Sequence, residues 1–518
     1  MSEQATSAKS CLSIAGKPVK ERAIDRIRKR KSSEIVIGLC GFVGSGVSTV
    51  SSVISSVFRE YGYEINNIKI SSLITEAEKI DLPSGSHYER IVRLQKAGTR
   101  CREKYGSDVL ATLAIAKIKT ARMEFRGRIF DVSDEDLLND DSRDHEIRLV
   151  SIVDNIKHID ELEHFRCVYG NMFFQVGVLC EEDERLNRLI INKKICKKDA
   201  VEILENDRKH LSKNGMNVSK VLCESDFFIE NTKDNVTSIE PEIKRFVELL
   251  FGVGVHTPTL HEYAMCCAQV SGVRSACLSK QVGAAIVAKD GAIISLGRND
   301  VPKFGGGLYC CEDGSNDNRC AYRYNKKCKN SDYKEGILEE IHKKLNEKIG
   351  SDDAKKAMLA LDCVQGLKNL IEFSRAIHAE MDAITSIARN GAHALEGATL
   401  FCTTFPCHNC ARHLVAAGIK QVYYIEPYDK SLAFNLHDDS IRVDKPAGEC
   451  EGYLRINQFT GVAPRVFLSF FKSGDRKNLE GSLVSVGQAV PKISQPIDRV
   501  SVYEDISLQG QEGLLNKD

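Results

Sequence analysis

Short apolar runs alternate with longer amphipathic stretches through the first half of the chain. Apolar runs bounded by turn residues are typical of buried strands, and apolar positions that recur every three or four residues are typical of helices. The pattern predicts strands at 35–40, 68–70, 147–153, 173–179 and 227–229, and helices at 46–59, 89–102 and 110–122. Strands that alternate with helices predict a mainly parallel sheet with helices on both faces.

A polar segment at 231–238, followed by Pro241 and Pro258, predicts a domain boundary between residues 240 and 257. Beyond it we expect a helix, a hairpin that turns at Asp290-Gly291, an irregular cysteine-rich insertion, and then a helix–strand–helix–strand unit. These elements are predicted at 259–271, 283–297, 374–389, 398–403, 407–417 and 421–425. The sequence thus predicts two α/β domains at 33–240 and 255–472, a basic flexible tail at 1–32, and a loose polar tail at 473–518.

The composition is that of a folded globular protein and argues against several classes of partner. Apolar residues make up 42% of the 518 residues and charged residues 28%. Lys plus Arg and Asp plus Glu both total 72, so no net charge attracts nucleic acid or an anionic membrane. The basic run at 26–31 is short and favours a solvated tail over a nucleic-acid arm. No apolar run approaches the roughly 20 residues that cross a bilayer, so we expect no membrane partner and a cytoplasmic location.

The 19 cysteines, an odd number in a long chain, indicate reduced thiols and a metal site rather than a disulfide framework. The strongest metal signal is His378-Ala379-Glu380 near the start of one predicted helix, with Pro406-Cys407-His408-Asn409-Cys410 at the start of another. Cys407 and Cys410 can face one point, and the helix N-terminus favours their thiolate form. With His378 they offer Zn²⁺ three ligands and leave the fourth tetrahedral position open, as a catalytic zinc requires.

Glu380 lies two residues from His378 and is not needed as a ligand, which leaves it to carry a proton. Zinc lowers the pKa of its water towards neutrality, and Glu380 would move the water's proton to a ring nitrogen and to the departing ammonia. The pattern H-x-E followed by P-C-x-x-C is the signature of zinc nucleobase deaminases. The alternative is a structural zinc knuckle with His408 as fourth ligand. Its position between the two cysteines makes simultaneous coordination awkward, and Glu380 would have no use there.

With 282–287 (Val-Gly-Ala-Ala-Ile-Val) and 297–302 (Gly-Arg-Asn-Asp-Val-Pro) upstream, this motif resembles the deoxycytidylate deaminases. The resemblance continues through 417–419 and 422–424 to about residue 465 and covers most of the second domain. It implies a cytidine-deaminase-like α/β/α domain and Asn299 as a residue that holds the substrate. It also implies a homo-oligomer, for which a hexamer is the expected form, and allosteric control by nucleotides.

The insertion contains four cysteines that could ligate a second, structural zinc, because the segment is long and lacks an evident core. Their irregular spacing fits unliganded thiols equally well, and both interpretations stay open. These residues are Cys310, Cys311, Cys320 and Cys328.

Residues 41–49, Gly-Phe-Val-Gly-Ser-Gly-Val-Ser-Thr, follow a predicted strand and open a predicted helix. This is the context in which a P-loop cradles phosphate with its backbone N–H groups. The candidate binding residues are Gly41, Gly44, Ser45, Gly46, Ser48 and Thr49. Val47 stands where the motif has lysine, so binding of ATP or a dNTP with Mg²⁺ is favoured over phosphoryl transfer.

Asp154, at the end of a predicted strand, could position the magnesium ion or be an ordinary carboxylate. Arg185 and Arg188 could belong to a lid or be solvated. The loop, together with 93–95 and 105–106, resembles the nucleoside and nucleotide kinases, which implies a P-loop NTPase-like parallel sheet for the first domain.

A P-loop kinase-like domain ahead of a deoxycytidylate deaminase domain resembles the bacterial anti-phage cytidylate deaminases. This implies conversion of dCTP or dCMP to dUTP or dUMP during infection, with the first domain as regulator and an RNA or protein repressor as one option for control. A nucleic-acid-editing cytosine or adenine deaminase is the alternative, but it calls for a basic groove with aromatic side chains, which zero net charge and the absence of Trp disfavour. A non-catalytic nucleotide sensor is disfavoured by the intact zinc motif.

Overall fold

The computed structural model describes residues 22, 24, 31–83, 85–130, 147–208, 216–232, 236–361, 372–391, 394–443, 452–472, 476–477, 480–483, 489–493 and 497–509. In the first half the elements are β1 (Ile35–Gly41), α1 (Val47–Glu60), β2 (Glu64–Lys69), α2 (Ile70–Glu78), α3 (His87–Tyr105), α4 (Val109–Phe130), β3 (Leu149–Asp154), α5 (Ile159–Tyr169), β4 (Phe173–Leu179), α6 (Glu182–Ile191), α7 (Lys197–Arg208), α8 (Val218–Cys223), β5 (Phe227–Glu230) and α9 (Val236–Phe251). The five predicted strands are confirmed. Only β2 differs clearly in its bounds, because it is a sheet-edge strand whose exposed residues are polar.

Five of the six strands of the first sheet have the order β5-β4-β1-β3-β2, and these five strands are parallel. β1 is central and fully buried, and Gly38 pairs with Val153 on one side and with Gln175 on the other. The chain passes from β1 towards β2 in one direction and from β3 to β4 in the other. The carboxyl ends of β1 and β3 therefore form the switch point at which ligands bind to open α/β sheets.

The elements of the second half are α10 (Leu260–Val273), β6 (Gly283–Val287), β7 (Ile293–Arg298), α11 (Lys329–Ile349), α12 (Ser351–Leu361), α13 (Ala379–Asn390), β8 (Thr399–Thr404), α14 (His408–Ala416), β9 (Gln421–Glu426), α15 (Ala433–Leu436), β10 (Ile441–Val443), β11 (Leu454–Gln458), β12 (Gly461–Val462), α16 (Phe467–Phe471) and α17 (Ile497–Leu508). The predicted helix, hairpin and helix–strand–helix–strand unit are confirmed. The insertion is only partly irregular, since α11 and α12 form within it and pack on each other.

The second sheet has the order β10-β11-β9-β8-β6-β7, in which β6 runs antiparallel to both of its neighbours. Alternate residues of β6 face opposite ways, as the period of a strand requires. Ala285 and Val287 pack in the core that contains α10, and Ala284 and Ile286 pack against α13 and α14. Helices thus cover both faces, which is the α/β/α arrangement that the resemblance implied.

The first domain ends within the predicted boundary interval of 240–257, although later than residue 240, and the predicted end of the second domain at residue 472 is wrong. Apolar residues of α9, such as Phe246 and Val247, pack with α1 and the first sheet, so the first domain runs on past residue 240 to Phe251. Near the C-terminus, β12 pairs antiparallel with β5, and Phe470 of α16 joins the same core. β12 therefore extends the first sheet, and Phe470 packs in the core of the first domain and not in that of the deaminase-like domain.

The predicted loose tail at 473–518 is also wrong for its described helix. α17 packs on α4 and α5, and its Val500 and Glu504 are fully buried. Most of the predicted basic tail at 1–32 lies outside the described residues. None of the helices in the described part of the chain is long and apolar enough to cross a membrane.

Candidate metal centre and phosphate-binding loop

Two helix N-termini bring the predicted zinc ligands together. His378 is the N-cap residue of α13, and Cys407 is the N-cap residue of α14, immediately after β8. α13 is held against β7 because Ser295 donates to the Ala383 carbonyl oxygen at 2.8 Å. Gly297 makes this close approach feasible, since a Cβ at that position would lie 2.1 Å from the Ala379 carbonyl oxygen.

The ligand atoms of His378, Cys407 and Cys410 all lie within 4.8 Å of one another. The Nδ1 atom of His378 is 3.3 Å from the sulfur of Cys407 and 3.3 Å from the sulfur of Cys410. Tetrahedral zinc places a nitrogen and a sulfur ligand about 3.6 Å apart, given its usual bond lengths. The donor set and its spacing therefore fit zinc, and among the described residues no other group of three or more candidate ligands converges in this way.

The electrostatics of this group favour a cation between the sulfurs. The pKa of Cys407 is lowered to about 4, first by the hydrogen bond with the Cys410 thiol and then by His378, although burial acts in the opposite direction. The hydrogen bond with Cys407 raises the pKa of His378 to about 9. The thiolate is the form in which cysteine binds metals, and a zinc ion bound here would take the place of the proton on His378.

Glu380 is buried beside this group, in the first turn of α13. Burial raises the pKa of its carboxyl group, while His378 and a hydrogen bond with Cys410 act to lower it. A carboxyl group that is desolvated and next to the metal ligands can take up a proton and release it again. Glu380 therefore lies where the sequence predicted a proton carrier.

His408, the alternative fourth ligand, is not part of the converging group. Its Nδ1 atom is buried and has no hydrogen-bond partner among the described residues. The three-ligand arrangement is the one that the structure assembles.

Asn299, the predicted substrate residue, follows β7 and is buried. Its Oδ1 atom accepts from the Val282 N–H at 2.7 Å, and its Nδ2 atom donates to the Lys280 carbonyl oxygen at 2.7 Å. In this structure Asn299 thus fixes the segment that leads into β6.

The four cysteines of the insertion, which could ligate a second zinc or be unliganded thiols, do not form a converging group among the described residues. Cys310 lies 3.5 Å from a carboxylate oxygen of Asp313, Cys320 lies near Arg375, and Cys328 lies near Ser279, while Cys311 is exposed. The loop is organised by ion pairs instead. The buried Arg319 binds Asp317 at 2.6 Å and Asp300 at 3.3 Å, and nothing in the cysteine spacing predicted this.

Residues 41–49 form a tight loop between β1 and α1, with Gly44 at φ 85° and Gly46 at φ 79°. The Ser48 hydroxyl donates to Asp154 at 3.1 Å, so the strand-end carboxylate does meet the loop at the switch point. Burial raises the pKa of Asp154. Ser45 is held through its carbonyl oxygen, which accepts from Asn231 at 2.9 Å. Arg185 and Arg188 are both largely buried against the loop and are not solvated.

Two residues at this loop were missed by sequence reasoning. The buried Asp207 and the half-buried Lys157 form an ion pair beside Val43. Lys157 follows Asp154 by three residues and could have been suspected from that proximity. Asp207 lies 164 residues from Val43 and carried no local signal.

The fold and the three-ligand group define a zinc-binding deaminase domain, and comparison with known families agrees. Residues 258–426 match the family model described as the cytidine and deoxycytidylate deaminase zinc-binding region. The chain is 36% identical to the deoxycytidylate deaminase of Enterobacteria phage T4 over 157 residues, which are 30% of this chain and 72% of the phage protein. It is 36% identical to that of phage T2 over 160 residues, 30% of this chain and 74% of the relative. The chain belongs to the deoxycytidylate deaminase family.

Among solved structures, the dCMP deaminase of cyanophage S-TIM5 in its apo form is similar to part of the chain. The match has 20% sequence identity and a TM-score of 0.22, and it covers 39% of this chain and 100% of the phage protein.

Proposed function

We propose that this chain hydrolyses the amino group of deoxycytidine nucleotides, converting dCMP, dCTP or both to the deoxyuridine nucleotide and ammonia. Family membership indicates zinc-dependent deamination of dCMP. The observation that carries the proposal is the convergence of His378, Cys407 and Cys410 next to the buried Glu380. A binding module would have no use for that carboxyl group.

In the proposed mechanism His378, Cys407 and Cys410 hold the zinc, which when bound supplies the Lewis acid that makes water nucleophilic at neutral pH. Glu380 accepts the water's proton as oxygen adds to C4 of cytosine, and it delivers that proton to N3. It then takes the proton of the new C4 hydroxyl group and passes it to the amino group, so that the C4–N bond breaks, ammonia leaves and the C4 carbonyl forms. Asn299 contributes by fixing the segment before β6, and by resemblance it also contacts the substrate.

We further propose that the first domain binds a nucleotide and regulates the deaminase. Three features support this. The loop at 41–49 has the form of a P-loop, Asp154 meets Ser48, and a single apolar core extends from β1 and α4 through α8 to Phe401 of the second sheet. α8 packs against both β1 and β9, and the Cys223 thiol at its end donates to the Ile425 carbonyl oxygen at 3.8 Å.

The role in defence against phage rests on the resemblance of the two-domain architecture. An enzyme that depletes a deoxynucleotide pool must be silent until infection, and a nucleotide site with weakened phosphoryl-transfer chemistry suits such control. Control by RNA or protein repressors and a cytoplasmic location belong to the same proposal. Bacteria that carry the wild-type chain should restrict phage growth, whereas bacteria with Glu380→Gln should not.

The activity is tested by ammonia release from dCMP, dCTP, CTP and a cytosine-containing single-stranded DNA. Wild-type protein should act on the free deoxynucleotides, Glu380→Gln should be inactive while it retains zinc, and the exposed Glu396→Gln should match wild type. Activity on the oligonucleotide alone would support the editing alternative. Zinc-loaded protein that acts on none of these substrates would support the non-catalytic sensor.

Regulation is tested with Gly46→Ala, because a Cβ there would lie 2.2 Å from the Asn231 amide nitrogen at a positive φ. ATP or a dNTP should change the rate of dCMP deamination by the wild type but not by this variant. An unchanged response in the variant would count against a regulatory role for the loop.

A further inference from the structure

A cap formed by α6 and α7 closes on the phosphate-binding loop. The cap has a small apolar core, in which Leu189, Ala200 and Ile203 are buried and against which Val43 of the loop packs. Arg188 on α6 donates to the Gly44 carbonyl oxygen at 3.2 Å. The fit is so close that a Cβ on Gly44 would lie 2.9 Å from the backbone of Arg185. Any ligand that widens this loop must therefore move the cap.

A buried carboxylate of the cap accepts a hydrogen bond from a backbone N–H group of the loop. Asp207, near the C-terminal end of α7, accepts a hydrogen bond from the Val43 N–H at 2.6 Å. Its other oxygen accepts from the Lys157 ammonium group at 2.7 Å, and the Asp207 side chain is 0% exposed. A backbone N–H and an ammonium group therefore converge on one buried anion. These are the groups with which a P-loop binds phosphate.

Lys157 is brought to this point by the end of β3. Asn155, two residues before it, both accepts from the Gly41 N–H at 3.2 Å and donates to the Gly41 carbonyl oxygen at 2.7 Å. The lysine is therefore fixed relative to the start of the loop, although it comes from a different strand. In addition, the buried Ser45 hydroxyl and the Asn231 Oδ1 atom have no hydrogen-bond partner within the described part of the chain. Polar groups that could bind a ligand therefore remain at the loop while Asp207 is bound to the Val43 N–H group.

We propose, on the basis of the nucleotide site proposed above, that Asp207 is an internal substitute for a nucleotide phosphate and that Lys157 replaces the lysine missing at Val47. A phosphate of a nucleoside triphosphate would displace Asp207 and accept from both the Val43 N–H and the Lys157 ammonium group. It carries more negative charge and more acceptor oxygens than one carboxylate, so it competes well for both donors. Asp207 would leave with α7, and α7 packs on α8, which adjoins β9 of the deaminase domain.

The test uses full-length, zinc-loaded protein and isothermal titration calorimetry with Mg²⁺–ATP and, separately, with inorganic tripolyphosphate. Asp207→Asn removes the competing charge and should bind both probes roughly tenfold more tightly, whereas Lys157→Met should bind them roughly tenfold less tightly. The matched controls are Glu205→Gln and Lys193→Met, both exposed on the cap. They should bind like wild type.

A second measurement needs no variant. Hydrogen exchange of the wild-type peptide that covers 197–208 should increase when ATP saturates the protein, because Asp207 and α7 are released. Binding of ATP with no change in this peptide would overturn the proposal, even if the Asp207→Asn variant failed to fold.

The outcomes also separate this inference from the proposals on which it rests. Suppose that Gly46→Ala abolishes ATP binding but that neither Asp207→Asn nor Lys157→Met alters it. This result would overturn the proposed roles of Asp207 and Lys157 and leave the proposed nucleotide site intact. If neither wild type nor Asp207→Asn bound ATP or tripolyphosphate, the nucleotide site itself would be refuted. Ammonia release from dCMP, measured on the same samples, reports on the deaminase independently of both.

Discussion

Arg122 on α4 joins segments that are far apart in the sequence. Its guanidinium group binds both oxygens of Glu34 at 2.6 and 3.2 Å, and both oxygens of Glu504 on α17 at 2.6 and 2.8 Å. Tyr169 on α5 donates to the Glu504 carboxylate at 2.8 Å. The side chain of Arg122 is 4% exposed and those of the two glutamates are 0% exposed. One buried positive charge therefore serves two buried negative charges.

Because one positive charge pairs with two negative charges, the loss of Arg122 should cost more stability than the loss of the Glu504 charge. Arg122→Met leaves two buried carboxylates without their cation and should lower the free energy of unfolding by about 3–5 kcal/mol. Glu504→Gln keeps the pair of Arg122 and Glu34 and most of the volume, so it should cost about 1–3 kcal/mol through weakened hydrogen bonds. Arg100→Met is the surface control. Arg100 is 54% exposed in its pair with Glu78, and its loss should cost at most about 1 kcal/mol.

Urea unfolding followed by far-ultraviolet circular dichroism measures these differences, since the chain contains no Trp to serve as a fluorescent probe. Hydrogen exchange of 497–509 shows whether α17 detaches before the rest unfolds. An Arg122→Met variant that lost no more stability than Glu504→Gln would refute the charge argument. Unaltered exchange of 497–509 in both variants would refute the assignment of Arg122 as the anchor of α17.

The same variant should respond to pH in a defined direction. Burial raises the pKa of the Glu34 carboxyl, and removal of Arg122 takes away the charge that lowers it. A carboxyl whose folded pKa lies above its unfolded pKa binds more protons in the folded state between the two values. The free energy of unfolding therefore falls as the pH rises through that window. The deficit of Arg122→Met should be larger at neutral pH than at acid pH below the unfolded glutamate pKa.

Three further predictions concern the candidate active site. Removal of zinc with a chelator should stop ammonia release and lower the urea concentration at the unfolding midpoint. Addition of Zn²⁺, but not of Mg²⁺, should restore both. Full activity in protein that metal analysis shows to be free of zinc would contradict the assignment of the zinc site. Gly297→Ala should reduce zinc content and activity together, because its Cβ would lie 2.1 Å from one backbone atom of α13 and 2.6 Å from another. Gly336→Ala, with nothing within 4 Å, is its control. Asn299→Ala should lower kcat/KM and speed hydrogen exchange at 280–283; a loss of kcat/KM without faster exchange would mean that Asn299 acts on the substrate alone.

The sequence was most informative where a signal is local. Continuous apolar runs in the sequence predict the central strands. Short, fixed spacings at two helix starts predict the zinc ligands. In both cases the residues that contact one another either lie close together in the sequence or lie on helices and strands whose periodicity the sequence pattern reveals. The geometry around His378 agrees with the motif for that reason.

Long-range pairing left no comparable trace. α17 is anchored by a charge network that spans 382 residues between Arg122 and Glu504, and its apolar positions do not form one clear helical face that would have predicted its packing. β12 has only two residues and is defined by its partner β5. The four cysteines of the insertion were compatible with a structural zinc or with free thiols, and their spacing gave no sign of the ion pairs that Arg319 makes in this loop. Such contacts depend on tertiary structure that no window of sequence contains.

The return of the chain to the first sheet at β12 bears on the proposed regulation. Because α9 precedes α10, and because β12 and α16 return to the first sheet, the deaminase domain is inserted within the first domain and is tethered to it at both ends. The two segments that connect the domains both contact Glu262 on α10. Arg245 of α9 binds the Glu262 carboxylate at 2.7 Å, and the Val462 N–H of β12 donates to it at 2.9 Å. An inserted domain with a shared core and two adjacent tethers cannot easily move independently of its host. Under the proposed regulation, a nucleotide that shifts the cap would act on the candidate zinc centre through these packed elements, without the need for a flexible linker or a second copy of the chain.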